Sequence, residues 1–272
     1  MSQRRVRERQ LQGDVPGAGE ETGRYVYCVT WALQGVELGP IGIDGLDVFT
    51  VTHKALCAVV HRCPAQPYQA DDQDVAAELV LAHHRVVDAA GQRWGTVLPL
   101  TFNTIIAAGE KSAEENVVAW LEAEYESLGS RLDSLTGKME YGVQVFWDPG
   151  MIARKTAEAS PEITALEEQI RSKGRGVAYM YRQKLEAMLK KQLEAKAEEE
   201  SRGLYTAIRH CVDSVHVEKT KEAQEGRQMI MNLSCLVSAE NYGDLEAELE
   251  KVRNRKGFFV RVAGPFPPYS FC

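Results

Sequence analysis

Four residues of the types that bind metal ions stand close together in the sequence: His53, Cys57, His61 and Cys63. Imidazole nitrogens and thiolates bind zinc at about 2.0–2.3 Å from the ion. The segment that carries them has the composition of a strand, which would place His53 and His61 about 26 Å apart at roughly 3.3 Å per residue. A turn at His53-Lys54 would relax that distance without closing a site. We therefore expect no metal centre at these residues.

A second group of chemically capable residues is His83-His84 with Arg85 and Asp88. Adjacent residues of a helix point about 100° apart. We therefore expect one histidine to pack near the core while the other faces water. A nucleophilic or acid–base site would need a serine, cysteine or carboxylate as an obvious partner, and the sequence places none there. A structural role is the favoured interpretation.

The basic segment Lys173-Gly174-Arg175-Gly176 precedes a helical pattern and could bind an anion at a helix N-terminus. It lacks the spacing and the Gly-Lys-Ser/Thr ending of a phosphate-binding loop. A flexible basic hinge is the better interpretation. Because no nucleophile, acid–base pair or phosphate cradle is recognisable, the sequence gives no positive case for an enzyme or for a cofactor.

Composition narrows the possible partners. The net charge of −7 and the isoelectric point near 5.5 argue against nucleic acid as the main partner. No apolar run has the length needed to cross a bilayer, and no secretory signal is visible, so we expect no membrane partner and a cytoplasmic location. No two of the six cysteines form a Cys-x-x-Cys pair, and we expect them to be reduced thiols: Cys28, Cys57, Cys63, Cys211, Cys235 and Cys272.

The sequence of the first half predicts a disordered N-terminal tail over residues 1–23, followed by an α+β domain over residues 24–137. The tail lacks aromatic residues and periodicity. Within the domain the patterns predict strands at 25–30, 48–51 and 55–61, a helix at 71–92 that stops at Gly91, a strand or strand pair at 97–106, and a helix from Ser112. Ser112 and Glu115 have the spacing of a capping box.

The second half predicts a ferredoxin-like domain over residues 138–264. Residues 140–147 alternate as a strand that Asp148-Pro149-Gly150 ends, and Ser160-Pro161 begins a helix. A long helix then extends from Val177 past Leu204, and we expect its charged middle to project beyond the core. Strands near 212–217, 229–237 and 258–262, with a helix around Leu245, complete a βαββαβ order with a long helical insertion.

A tail of prolines and aromatic residues closes the chain. Gly264 and Pro265 are expected to end the last strand, because proline lacks a ladder N–H. Residues 265–272 should then adopt a polyproline II conformation rather than a helix or an ordinary strand. We expect this tail to pack on the N-terminal domain and to clamp the two halves together, since a stiff segment loses little entropy when it docks. The residues assigned to this docking are Pro265, Phe266, Pro267, Pro268, Tyr269 and Phe271.

The same tail carries a resemblance to a known family. Ala263-Gly264-Pro265-Phe266-Pro267-Pro268-Tyr269-Ser270-Phe271 resembles the closing motif of the gas vesicle protein F/L family (GvpF/GvpL), and residues 98–106 resemble its Leu-Pro-x-x-Phe-Gly-Thr segment. Tyr25-Val26-Tyr27 and residues 142–147 also fit. Asn103 stands where the family usually has glycine, and asparagine tolerates the same left-handed backbone. The resemblance extends from about Arg24 to the end.

The resemblance implies a two-domain plan and a non-enzymatic role in gas vesicle formation. The implied partner is the small hydrophobic shell protein (GvpA-type), and other gas vesicle accessory proteins are further candidates. The implied location of this protein is the cytoplasm or the gas vesicle. The alternative is a small-molecule enzyme or sensor on a ferredoxin-like scaffold, which hosts many functions. A deep pocket with converging polar groups would favour the alternative. A shallow apolar groove or an exposed strand edge would favour assembly.

Overall fold

The computed structural model of the chain describes residues 22–32, 35–221 and 226–272. They form two compact units, one of residues 139–265 and the other of the described residues up to 138 together with 266–272. The mixed α+β class predicted from the sequence is confirmed. Most of the predicted N-terminal tail, residues 1–21, lies outside the described residues. Gly23 does not belong to a disordered tail, because it is the first residue of a strand.

The first unit is built on an antiparallel sheet with the order β2-β3-β4-β1-β5, in which β6 also pairs with β1. Strand β1 lies inside the sheet because its residues Tyr25 to Val29 are apolar or aromatic on both faces and fully buried. The strands are β1 (Gly23–Trp31), β2 (Glu37–Gly39), β3 (Val48–His53), β4 (Leu56–Cys63), β5 (Val97–Pro99) and β6 (Ile105–Ala107).

In the described part of this unit the α-helices are α1 (Gln73–Trp94), α2 (Ala113–Ala123) and α3 (Tyr125–Leu135). The capping box at Ser112 and Glu115 is present as predicted. Helix α1 begins where the Asp72 carboxylate accepts hydrogen bonds from the first-turn N–H groups. The predicted stop at Gly91 is wrong. The helix continues to Trp94 and ends at Gly95, whose φ of 85° suits glycine.

The second unit has the predicted βαββαβ order around a sheet with the order β10-β7-β9-β8, which is the ferredoxin-like arrangement. Its core includes Trp147, Ile208, Leu233 and Leu245, all nearly inaccessible to solvent. The elements are β7 (Lys138–Trp147), α4 (Pro149–Ala159), α5 (Pro161–Ser172), α6 (Arg175–His210), β8 (Ser214–Val217), β9 (Gln228–Ser238), α7 (Tyr242–Arg253) and β10 (Phe258–Phe266).

One prediction about this unit is incomplete and another is wrong. Asp148-Pro149-Gly150 ends a strand but also begins α4, because the Asp148 carboxylate caps the helix and proline is suited to its first position. The charged middle of α6 does not project beyond the core. Leu193 and Ala197 pack against that core, and Glu200 forms an ion pair with Arg255 at 2.6 Å.

The end of the chain also differs from the prediction. Strand β10 continues through a cis Gly264-Pro265 bond to Phe266. It can include a proline because it lies at the sheet edge, where not every N–H is needed for pairing. Residues Tyr269–Phe271 form a short 3₁₀ turn rather than a polyproline II segment. No helix among the described residues is long and apolar enough to cross a membrane.

Candidate functional site

A cluster of tyrosines and histidines lies in the core of the first unit. Tyr25 and Tyr27 are two residues apart on β1 and point to the same face of the sheet. The Tyr25 hydroxyl lies 2.9 Å from His83 Nδ1, and the Tyr27 hydroxyl lies 2.7 Å from His61 Nδ1. Tyr25 also stacks on the His61 ring, with centroids 5.0 Å apart. Helix α1 and strand β4 therefore place their histidines against the same strand.

The surrounding hydrogen bonds assign the protons of the cluster. The backbone N–H of Ile43 donates to the Tyr27 hydroxyl at 3.0 Å, so this hydroxyl can donate its own proton to His61 Nδ1. His61 Nε2 then carries a proton and donates it to the Tyr68 hydroxyl at 2.9 Å. Each of these three side chains is hydrogen-bonded to another of the three. This half of the cluster is therefore a structural hydrogen-bond network.

Only one of the two ring nitrogens of His83 has a hydrogen-bond partner among the described residues. The Asn103 N–H donates to the Tyr25 hydroxyl at 3.1 Å, and this hydroxyl donates to His83 Nδ1. The proton of His83 therefore lies on Nε2, which is buried without a hydrogen-bond partner among the described residues. Burial lowers the pKa of His83, and the Leu100 backbone opposes this only weakly because it lies outside hydrogen-bond geometry. His83 is buried and His84 half-buried, so α1 turns only one of them fully inward.

Burial sets the protonation of this cluster. It lowers the pKa of His61 to about 4 and, together with the neighbouring His84, lowers the pKa of His83 to about 4. Burial also raises the pKa of Tyr25 to about 12 and the pKa of Tyr27 further. The four groups are neutral at pH 7. They therefore act as hydrogen-bonding core residues.

Asn103 supports the cluster through the turn that the sequence predicted. Its φ of 69° confirms the left-handed backbone. Its side chain adds a function that glycine lacks, because Oδ1 accepts from the Tyr68 N–H at 2.9 Å and Nδ2 donates to the Tyr68 carbonyl at 3.0 Å. Tyr68 was not singled out in the sequence, which offers no local signal for this pairing.

The C-terminal tail lies over the same cluster within the first unit. Tyr269 packs edge-on against His84 with ring centroids 4.6 Å apart, and its hydroxyl is buried without a partner among the described residues. Pro267 and Pro268 are buried and Phe271 is half-buried. Phe266 is 45% exposed and Pro265 is also exposed. Of the six residues assigned to docking, the structure thus places four against the protein and two in solvent.

The candidate metal ligands do not meet. His53 lies at the end of β3 with its ring 6.0 Å from Tyr125, whereas His61 is bonded within the tyrosine cluster. Cys57 and Cys63 are buried in β4, and burial raises the pKa of both thiols to about 11. No group of three or more His, Cys, Asp or Glu residues in the described ranges could hold a metal ion.

A cavity of about 1010 Å³ in the second unit bears on the enzyme alternative. Its apolar wall includes Ile152 and Phe258. Three of its charged groups form one ion-pair network, since Glu200 lies 3.5 Å from Lys196 and 2.6 Å from Arg255. This arrangement is typical of a solvated ion-pair network over an apolar groove rather than of converging catalytic groups.

The edge of the second sheet offers a different kind of surface. Strand β8 has four residues against eleven in β9, and it lies at the end of the strand order. Val217 pairs with Leu233 and is 71% exposed. Beside it lies an open groove of about 500 Å³ with a mainly apolar wall. The apolar residues of this edge groove are Ala197, Tyr205, Val217, Met229, Ile230, Met231 and Leu233.

Comparison with known proteins places this fold in a family. The family model described as gas vesicle synthesis protein GvpL/GvpF matches residues 23–272. Gas vesicle protein L1 of Halobacterium salinarum is 27% identical over 92% of this chain and 90% of its own length. Gas vesicle protein L of a Streptomyces species is 28% identical over 92% of both chains.

Solved structures show the same fold. The crystal structure of the gas vesicle protein GvpF from Anabaena superposes with a TM-score of 0.72 at 18% identity, covering 92% of this chain and 98% of that one. GvpF from Microcystis aeruginosa gives a TM-score of 0.62 at 17% identity with the same coverage.

Proposed function

The chain belongs to the gas vesicle synthesis protein GvpL/GvpF family, and on this basis we propose that it is a non-enzymatic accessory or minor structural protein of the gas vesicle. Membership gives it a role connected with gas vesicles. Its chemistry-bearing histidines and tyrosines support a non-enzymatic role, because they are buried and largely bonded to one another.

The proposed partner is the hydrophobic shell protein of the gas vesicle, bound in the cytoplasm or at the growing vesicle. A very apolar subunit aggregates unless something covers it before assembly. A protein that covers one subunit and then releases it to the growing shell would assist nucleation or assembly. Other accessory proteins of the vesicle are further candidate partners.

The observation that carries the proposal is the edge of β8. A strand at the edge of a sheet can accept an extended segment through backbone hydrogen bonds, with side-chain pockets that give specificity. Here the edge is short and ends at the exposed Val217, and the edge groove continues from it between β9 and α6. Met229 and Met231 lie in its wall but are only 6% and 3% exposed, so Val217 and Tyr205 are its main exposed apolar side chains. We place the shell protein on this edge.

Co-purification of the shell protein with this chain tests the proposal. The complex should persist at raised salt if apolar burial and backbone pairing dominate, because only exposed charge contacts are screened within about 8 Å at physiological ionic strength. Val217→Lys should weaken capture severalfold, since an edge lysine blocks strand addition. Absence of capture at both low and high salt would overturn the assembly function, and capture only at low salt would remove the apolar mechanism.

Val75→Lys is the matched control. Val75 is also an exposed valine, at 47%, but it lies in a helix of the first unit. The same charge is introduced there without altering a strand edge, so we expect shell-protein capture at the unmodified level. A loss in this variant, with normal capture by Val217→Lys, would move the binding surface away from β8.

A further inference from the structure

Two exposed surfaces of the chain carry opposite charge around apolar residues. The first is the start of helix α6, which we call the basic tip. Residues 169–185 contain five lysines and arginines and no acidic residue, in a chain of net charge −7. Within this segment Val177 is 48% exposed, Tyr179 is 61% exposed and Met180 is 69% exposed. Clustered exposed apolar residues of this kind mark interaction sites.

The geometry of the helix places Val177 and Met180 on one side and Tyr179 on another. Ala178 is 4% exposed, while its neighbours on both sides face solvent. Val177, Met180 and Lys184 follow the i, i+3, i+7 spacing that aligns residues along one helical face. Arg171 and Lys173 add charge at the preceding turn, and Arg171 is only partly compensated by an exposed ion pair with Glu168 at 3.5 Å. The basic tip is thus an apolar face bordered by cations.

The second surface is the start of helix α1, which we call the acidic face. Residues 63–84 contain four acidic residues and no lysine or arginine. Asp74, Glu78 and Leu81 follow the i, i+4, i+7 spacing and share the face opposite the buried residues of the helix. Leu81 is 58% exposed and Val80 is 38% exposed. Arg85 follows Leu81 by one turn on the same side, so this face presents large apolar side chains among charges that are mostly, but not all, acidic.

We propose that these two surfaces bind each other between copies of the chain, the basic tip of one copy on the acidic face of the next. Opposite charge would steer and orient the encounter, and the apolar residues would supply the buried area. Because the two surfaces are different, the contact is heterologous, and it builds chains or rings rather than closing at a symmetric dimer. Both surfaces are small, so we expect weak, concentration-dependent association.

Sedimentation velocity of the full chain across a concentration series tests this inference. The mean mass should rise with concentration at low salt and rise less at high salt, because exposed charge pairs are screened. Met180→Glu should abolish the rise by placing a negative charge on the tip. Leu81→Lys should abolish it from the other side. Both positions are exposed, so circular dichroism and thermal unfolding should match the unmodified chain.

Mixing the two variants gives the decisive result. The Met180→Glu chain keeps its acidic face and the Leu81→Lys chain keeps its basic tip, so an equimolar mixture should form 1:1 dimers and nothing larger. A monomeric unmodified chain at all concentrations would overturn the inference. The inference would also be overturned if Met180→Glu left association unchanged, or if the mixture of variants stayed monomeric. Shell-protein capture by both variants should remain, which separates this contact from the β8 edge.

Discussion

At the scale of residues, burial of His61 and His83 makes the stability of the first unit depend on pH. Both imidazoles have a native pKa of about 4, against about 6.5 in an unfolded chain. The unfolded state therefore binds more protons between pH 4 and 6.5, and stability is lost as pH falls through this window. We expect each histidine to contribute a loss of about 2 kcal/mol between pH 7 and pH 5, measured by denaturant unfolding.

The variant His61→Gln separates this effect from general acid unfolding. Glutamine keeps a hydrogen-bond acceptor and donors for Tyr27 and Tyr68 but does not titrate in this range. Its stability should fall about half as much as that of the unmodified chain over the same pH interval. An identical pH dependence in the variant would show that His61 is not held neutral by burial.

The sequence predicted only part of this arrangement. Helical geometry anticipated that one of the two adjacent histidines would pack inward, and asparagine at 103 anticipated a left-handed turn. The partners of the histidines were not predictable, because Tyr25 lies 58 residues from His83 and Tyr27 lies 34 residues from His61. The Tyr25-x-Tyr27 spacing could have shown that both hydroxyls share one face of the strand, but not what that face meets.

At the scale of elements, two helical glycines should respond oppositely to alanine. Gly203 lies inside α6 with nothing within 4 Å of the position that a Cβ would take. Gly203→Ala should raise the free energy of unfolding by about 0.5–1 kcal/mol, because glycine has more conformational entropy to lose on folding than alanine. Gly129 lies inside α3, where a Cβ would stand 2.9 Å from the Trp31 ring. Gly129→Ala should lower the free energy by about 1 kcal/mol or more.

Denaturant unfolding of the two variants measures both changes in the free energy of unfolding, one positive and one negative, in the same protein. The Trp31 indole donates to Asp133 at 3.1 Å, which limits how far the ring can move away from a new methyl group. Stabilisation by Gly129→Ala would mean that the ring yields, and the close packing of α3 on β1 would then have no energetic consequence.

Element boundaries were predictable where one residue type has one function. The capping box at Ser112 and the Ser160-Pro161 start both formed as predicted. Boundaries were missed or mistaken where one residue permits two outcomes. Pro149 ends a strand and also begins α4, and Pro265 is tolerated inside an edge strand. The three-residue strand β2 gave no recognisable pattern because its pairing with β3, rather than its own sequence, defines it.

At the scale of the whole molecule, we propose that the tail, residues 265–272, belongs to the N-terminal domain, residues 24–137. In the sequence, the tail instead follows the ferredoxin-like domain, residues 138–264. Deleting the tail removes the buried Pro267 and Pro268 and the packing of Tyr269 on His84. We expect Tm to fall by roughly 5 °C. Differential scanning calorimetry checks this, and an unchanged Tm would show that the tail does not stabilise the fold.

Tyr269→Phe is the matched control for the deletion. Its buried hydroxyl has no hydrogen-bond partner among the described residues, so removing that oxygen relieves an unsatisfied polar group while keeping the ring. The Tm of this variant should be equal to or slightly above that of the unmodified chain. A fall as large as that of the deletion would mean that the hydroxyl is bonded in solution.

The central claim is that the shell protein adds a strand to the β8 edge, and amide hydrogen exchange of the chain with and without the shell protein tests it most directly. Strand addition forms backbone hydrogen bonds, which slow the exchange of the amides that make them. We predict that exchange slows over Ser214–Val217 when the shell protein is bound, and that Val217→Lys reduces this protection at the same shell-protein concentration. Protection elsewhere in the chain with β8 unchanged, or no protection at all, would contradict the claim.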